Sequence, residues 1–409
     1  MTQRNGGLAV MVTRGGALDG CDVEAGSLAL KRQPSVLYGA DIRNDLGRVI
    51  RQSGWTRVLP VVTSSLVGSG YVAGAIGAIS PSVLQPFTRL RAHTPFDVVL
   101  DLSAEIRDKH ADAVVVIGGG SAIDAVKIAT LAASVGVKDQ SGLLAMRAIP
   151  DATGVQQPSP GERAGIAIIA VPTTLSGAEF GLIGGATQTN VGIKHLYRSD
   201  TLAPDIVIFD PVLSIETPID LWLTTGIRSI DHAVETILSR DANPFTNALA
   251  FDALALLRQG LCATKQNPAN VPARHKGQLG NWLAAAGIGR VRYGASHGIG
   301  HQLGAVAGVP HGVTSCVLLP AVLAYNAAVT PGRQKAIASA FGRTDVSAAE
   351  AVRDFISSLG LPVRISELQV DRRDLIRIAE TSIDNAFVRA NLRPITTVED
   401  VQEILETAW

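Results

Sequence analysis

The sequence predicts an α/β domain built on a parallel sheet, followed by an all-α domain. Three observations carry this: four short apolar runs alternate with helical stretches before residue 211, a glycine run leaves one of them into a helix, and from Leu221 onward nearly every segment has helical spacing. Unbroken apolar strands separated by helices read as βαβ units, because a strand covered on both faces has no polar side to alternate with. Such an architecture commonly hosts nucleotides, although architecture alone names no reaction.

In chain order, residues 1–33 are Gly-rich and weakly periodic, an extension without a functional reading. Residues 34–211 form the α/β domain. Its strands are residues 58–63 (VLPVVT), 113–117 (AVVVI), 165–171 (GIAIIAV) and 206–209 (IVIF). Residues 98–110 (VVLDLSAEIRDKH) have helical spacing with a charged face. Residues 138–165 gather turn formers and read as a surface excursion. The helical domain occupies residues 212–409. Thr217-Pro218 offers a helix start, and DHAVETILSR, NALAFDALALLRQGL, KAIASAFGR, AAEAVRDFISSLG, RRDLIRIAETS and VEDVQEILETAW follow.

Composition narrows the classes of function. With 46% apolar residues in 409, the chain can bury a large core, which excludes general disorder. Its 36 Lys+Arg balance 36 Asp+Glu, so it has no cationic excess for nucleic-acid phosphates. No stretch of 18 apolar residues is free of charges and turn formers, so no membrane span is expected. The N-terminal MTQRNGGLAVMVTRGG is too broken by Gly and Arg for a secretion signal. Cys21, Cys262 and Cys316 are widely scattered, which suits a reducing cytoplasm better than a disulfide framework.

Three motifs carry chemistry. IGGGSAIDAVK, residues 117–127, takes a buried strand into a helix. Glycines there let a pyrophosphate approach the backbone, and the helix N-terminus attracts its charge. The spacing is not GxGxxG, and the plainer alternative is a turn capped by Ser121. VPTTLSGAE, residues 171–179, follows the third strand with hydroxyls that line a cofactor or cap a helix. The third motif is histidine placement: His195 follows Lys194 in a loop, while His232, His297, His301 and His311 fall in the helical half. His297 and His301, at i and i+4, share a helix face. The four point to one cleft, with metal binding or proton transfer as its chemistry.

GGGSAID, PTTLSGAE, DHAVE and HGIGHQLG followed by VPHG together resemble the iron-containing (group III) alcohol dehydrogenases over residues 36–409. The resemblance implies the dehydroquinate synthase-like fold, NADH or NADPH as cofactor, an active site between the domains and a homodimer. It places Gly118, Gly119, Gly120 and Ser121 on the pyrophosphate, Thr173, Thr174 and Ser176 along the cofactor, and Lys194 near its ribose. Metal-dependent members use one Asp and three His. His232, His297 and His311 match the histidines, and His301 matches a further cleft histidine.

The matching position for the Asp, four residues before His232, is Arg228. Asp231 points roughly 100° away around the helix and is a poor substitute. A cation at residue 228 repels a divalent ion, so a resident metal is doubtful. This departure, with TGIRSIDHAVE and VPHGVTSCVLLP, resembles the maleylacetate reductase branch, whereas Asp124 is more like the alcohol dehydrogenases. The expected function is NAD(P)H-dependent reduction of a small, anionic enone or carbonyl. Arg228 would stabilise developing negative charge, and His232, His297, His301 or His311 would donate the proton. The bland alternative for Arg228 is an ion pair with Asp231 or Glu235. Ser64 stands where NAD-selective relatives carry Asp, so use of both cofactors is expected. The competing functions are a metal-dependent (Fe/Zn) alcohol dehydrogenase, a dehydroquinate-synthase-like lyase and a noncatalytic binding protein.

Overall fold

The computed structural model describes Leu28, residues 33–149 and residues 157–409; Cys21 and nearly all of the N-terminal extension lie outside them. The strands are β1 (Ser35–Tyr38), β2 (Val58–Val62), β3 (Ala113–Gly118), β4 (Ala167–Pro172), β5 (Ile183–Gln188), β6 (Ile193–Arg198) and β7 (Ile206–Phe209). Five of them form a parallel sheet in the order β1-β7-β4-β3-β2, while β5 and β6 pair as a separate antiparallel hairpin.

The sheet is covered by α1 (Ile42–Ser53), α2 (Gly70–Gly77), α3 (Phe96–Asp108), α4 (Gly120–Ser134) and α5 (Gln140–Met146). Alternation along each strand sends side chains to two cores. Leu59, Val61, Val114, Val116, Ile168 and Ala170 pack with α3 and α4. Their neighbours Val58, Val62, Val115, Ile117, Ile169 and Val171 pack with α1 and α2. Both faces are therefore apolar, which is why these strands read as continuous runs. Pro60 is tolerated because β2 is the last strand of the sheet, edged only by isolated bridges to Val83 and Phe87.

After β7 every regular element is helical: α6 (Ile219–Leu238), α7 (Pro244–Gln266), α8 (Val271–Ala284), α9 (Ala295–Ala307), α10 (His311–Asn326), α11 (Pro331–Ala340), α12 (Ala348–Ser358), α13 (Asp374–Ser382), α14 (Ala386–Arg389) and α15 (Val398–Ala408), with short 3₁₀ turns between. From Ser229 to Ser239 no residue of α6 reaches solvent appreciably, so this helix is enclosed by its neighbours rather than amphipathic. The segment His311–Val329 is long and apolar enough for a membrane span by length and composition alone, but it is interrupted by Gly312, Pro320 and Asn326 and most of it is buried against other helices. Its apolarity is that of a core helix.

Two expectations are corrected. The excursion over residues 138–165 contains α5, whose Leu143 and Met146 are buried in the sheet core; residues 150–156 lie outside the described region. Lys194 and His195 are in β6 rather than a loop. The sequence lacks the run length to announce this hairpin, because glycines at 184 and 185 interrupt its apolar pattern.

Candidate active site

On the α/β side, β3 ends at Gly118 and α4 begins at Gly120. The helix cap is Gly119, without a side-chain capping bond, so Ser121 is not the cap. Part of the need for glycine is packing against the second loop. A Cβ at Gly120 would lie 2.8 Å from Ser176 Oγ, and one at Gly119 would lie 3.1 Å from Thr174 Cγ2. Thr173 N–H donates to Gly118 O at 3.0 Å, binding the two loops together. Thr174 Oγ1 is buried without a partner among the described residues. An orphaned hydroxyl beside a glycine run at a helix start suits a polar ligand. Ser64 is exposed where β2 ends.

The second loop is tied to α6. Thr217 Oγ1 donates to Thr173 O at 2.6 Å, and Ser229 Oγ donates to Leu175 O at 2.6 Å. Gly177, at φ 70°, turns the loop past the helix; a Cβ there would approach within 3.5 Å of His232 Cε1. The hydroxyl loop and the first cleft histidine are thus adjacent. Lys194 reaches the same region from β6, its side chain lying over Gly185, whose N–H donates to Asp124 Oδ2 at 3.1 Å.

On the helical side, α6 carries Arg228, Asp231, His232 and Glu235, α9 carries His297 and His301, and α10 opens with His311. The His232 and His297 rings stack at 4.9 Å, with Tyr293 against both at 5.5 and 4.3 Å. His301 meets His311 edge-on at 5.7 Å. His195 lies elsewhere, against Phe96 and Gln188. Burial, reinforced by the Arg228 charge, holds His232 and His297 neutral well below the usual imidazole range. The same causes, joined by Lys194, push His301 down to about 3. His311 is exposed by area yet hemmed in by protein, as on a cleft wall, and its protonation is disfavoured first by desolvation, then by His301 and Arg228.

Arg228 forms the ion pair of the bland alternative. Its Nη1 lies 3.3 Å from Asp231 Oδ2 and donates to Ser315 Oγ at 3.1 Å. Asp231 Oδ2 also accepts from Ser296 Oγ at 2.9 Å and Ser315 Oγ at 2.6 Å. Glu235 accepts from the Gly294 and Ser296 N–H groups, both at 2.9 Å, and its Oε2 is 2.6 Å from His297 Nδ1. With Nδ1 on that carboxylate, the free His297 Nε2 is the atom left for chemistry; it and His232 Nδ1 are buried without partners among the described residues.

Asp231, Glu235, Tyr293, Ser296 and Ser315 were not assigned to the site from the sequence. The i, i+4 pair of carboxylates in an otherwise apolar helix segment was a readable signal for the first two. Nothing local marks Ser296 or Ser315, whose roles come from α9 and α10 docking on α6.

A divalent ion fits the His232, His297 and His311 set poorly, because the acidic ligand position holds a guanidinium. Asp231, Glu235 and His297 do bring ligand atoms within 4.8 Å of one another. Their engaged carboxylate oxygens, however, already accept N–H and O–H groups, and Arg228 adjoins Asp231.

Residues 33–211 match the family model of iron-containing alcohol dehydrogenases, and residues 222–409 match the C-terminal model of that family. A dehydrogenase of Alternaria alternata, ALT3, is 35% identical over 356 residues, covering 78% of this chain and 90% of the relative. Maleylacetate reductase of Burkholderia cepacia is 29% identical over 379 residues, covering 92% and 96%. The crystal structure of maleylacetate reductase from Agrobacterium tumefaciens superposes with a TM-score of 0.78 at 26% identity, covering 94% of this chain and 99% of that one. The family takes its name from iron, so the doubt about a metal draws no support from these comparisons. A parallel α/β sheet and a helical half that meet around a glycine loop and four histidines, matched over residues 33–211 and 222–409 by the two family models, make this chain a member of the iron-containing alcohol dehydrogenase family of oxidoreductases.

Proposed function

We propose that this protein is an NAD(P)H-dependent reductase of the maleylacetate type, acting on a small carboxylate-bearing enone or carbonyl without an obligatory metal. The carrying observation is Arg228. Its guanidinium, mostly buried and steered by Asp231 and Ser315, stands among the cleft imidazoles where a metal-dependent relative would offer a carboxylate. A fixed cation there stabilises negative charge developing on an enolate or alkoxide oxygen as hydride adds.

A nicotinamide cofactor, when bound here, would supply the hydride. Gly118, Gly119, Gly120 and Ser121 would hold the cofactor's pyrophosphate end, Thr173, Thr174 and Ser176 would line its path, and Lys194 would take the ribose. The proton that completes the reduction passes through His232, His297, His301 or His311; because burial holds these imidazoles uncharged, one of them gives its N–H as its other ring nitrogen takes up a proton, supplied in the end by solvent, so that no imidazolate is left. Ser64 leaves no carboxylate at the end of β2 to repel a 2′-phosphate, so both cofactors serve.

The Asp231–Glu235–His297 cluster favours one other reading, a metal-dependent alcohol dehydrogenase using a rearranged ligand set. One experiment separates them: metal analysis of protein purified without chelator, alongside NADPH oxidation with maleylacetate before and after EDTA. Metal-free protein with EDTA-resistant turnover supports the reductase. A stoichiometric metal whose removal abolishes turnover overturns it.

A further inference from the structure

α14 is a single helical turn, too short to hold its own shape, and it is fixed by what it packs against. Asn385 caps it, accepting from Phe387 N–H at 2.9 Å. On α9, Gly298 makes room for it: a Cβ there would lie 2.5 Å from Val388 Cγ2 and 2.8 Å from Val388 N, closer than side chains pack. Val388 is fully buried, in the core that α9 and α10 share with α13 and α15.

Gly298 follows His297 directly and lies three residues before His301. The contact that seats Val388 on α9 therefore sets the neighbouring Phe387 beside the histidine face of that helix. The Phe387 ring centroid is 5.4 Å from that of His301, edge-on at 69°, and 6.5 Å from that of His297. Unlike Val388, Phe387 is only partly buried, so its ring borders open space at these imidazoles instead of filling the core. A phenyl ring offers no conventional hydrogen bond and its faces carry partial negative charge, so a carboxylate is unwelcome there and apolar carbon is not.

We propose that Phe387 is a specificity-determining residue, the apolar wall that limits how far the carbon chain of an acceptor extends past His301 when its charge is drawn to Arg228. This rests on the reading of Arg228 as the group that attracts the acceptor's negative charge.

The test uses Phe387→Ala, which removes the wall, and Phe387→Leu, which keeps part of it. The probes are straight-chain alkanoates from acetate to octanoate, titrated by calorimetry into NADH-loaded protein, with maleylacetate turnover of the wild type measured in parallel. A chain too long for the wild type should fit the Ala variant. Affinity for octanoate relative to butanoate should rise about tenfold in Phe387→Ala, the low end of what one methylene decides in an apolar pocket, with Phe387→Leu in between. NADH affinity should stay within threefold. General loosening of the fold would weaken every member of the series alike and leave that ratio unmoved. The same ratio in a folded Ala variant, or no alkanoate binding by the wild type, overturns the assignment. A shifted ratio without maleylacetate reduction by the wild type overturns the proposed reaction and leaves Phe387 in its role.

Discussion

Arg228 shows how one side chain redirects a site. A guanidinium and a divalent cation both stabilise an oxyanion, but the guanidinium brings directional N–H donors and needs a carboxylate beside it rather than beneath it. Asp231 meets that need: it is fully buried and tied to Arg228, Ser296 and Ser315 through one oxygen. Replacing Arg228 with Ala should lower kcat/KM for the acceptor by about 10²–10³-fold, the scale of losing one transition-state donor. NADH affinity, measured by fluorescence quenching, should stay within threefold. Steady-state kinetics unchanged from wild type would leave the residue as an ion-pair partner of Asp231 and nothing more.

Among the elements, α6 does the most to organise the site. Its buried C-terminal half presents Arg228, Asp231, His232 and Glu235, and its outer turns hold the hydroxyl loop through Ser229 and Thr225. The loop turns back at Gly177, in left-handed backbone and close to His232. Introducing Ala at 177 adds about 1–2 kcal/mol of backbone strain and sets a methyl group against Ile288, His232 and Asn281. Thermal unfolding should show that loss, and KM for NAD(P)H should rise because Thr173, Thr174 and Ser176 shift with the loop. A stable Gly177→Ala enzyme with unaltered KM would show that the loop is not coupled to the cofactor.

At the scale of the molecule, buried polar groups join the α/β half to the helices. Asn281 on α8 donates to Glu179 Oε1 at 2.8 Å and receives Ser229 Oγ at 2.7 Å. Gln278, also on α8, donates to Asp210 O at 3.1 Å, while Arg274, enclosed against the face of Trp222, holds the carbonyls of Ser214 and Thr217 at the entry to the helical half. Burial, only partly offset by Asn281 and Lys127, pushes Glu179 up to about 7. Because its folded value lies above the ordinary 4.5, the native state binds more protons than the unfolded chain between those limits, and stability contributed by Glu179 falls as pH rises through that window. Glu179→Gln keeps an acceptor for Asn281 and removes the titration. Its melting temperature should match wild type near pH 4.5 and exceed it by roughly 3 °C at pH 8. A parallel pH profile for both proteins would remove Glu179 as the cause.

How much of this was legible depends on the range over which each feature is encoded. The strands of residues 113–117 and 206–209 were readable because double-sided burial makes a local apolar run, and the helices after residue 219 because periodicity is local. The glycine run, the hydroxyl loop, Arg228 and the four histidines could be named as candidates for the same reason. The β5–β6 hairpin, α5 and α14 with its Phe387 were not visible, since glycine-broken strands and short helices depend on what packs against them. The chain by itself determined which side chains were available: three glycines after a strand, imidazoles at helical spacing, and a cation where a metal-binding relative has an acid. Tertiary structure alone decided that Asp231, Glu235, Ser296 and Ser315 would surround that cation and orient His297, because a buried charge must take its partners from whichever elements enclose it.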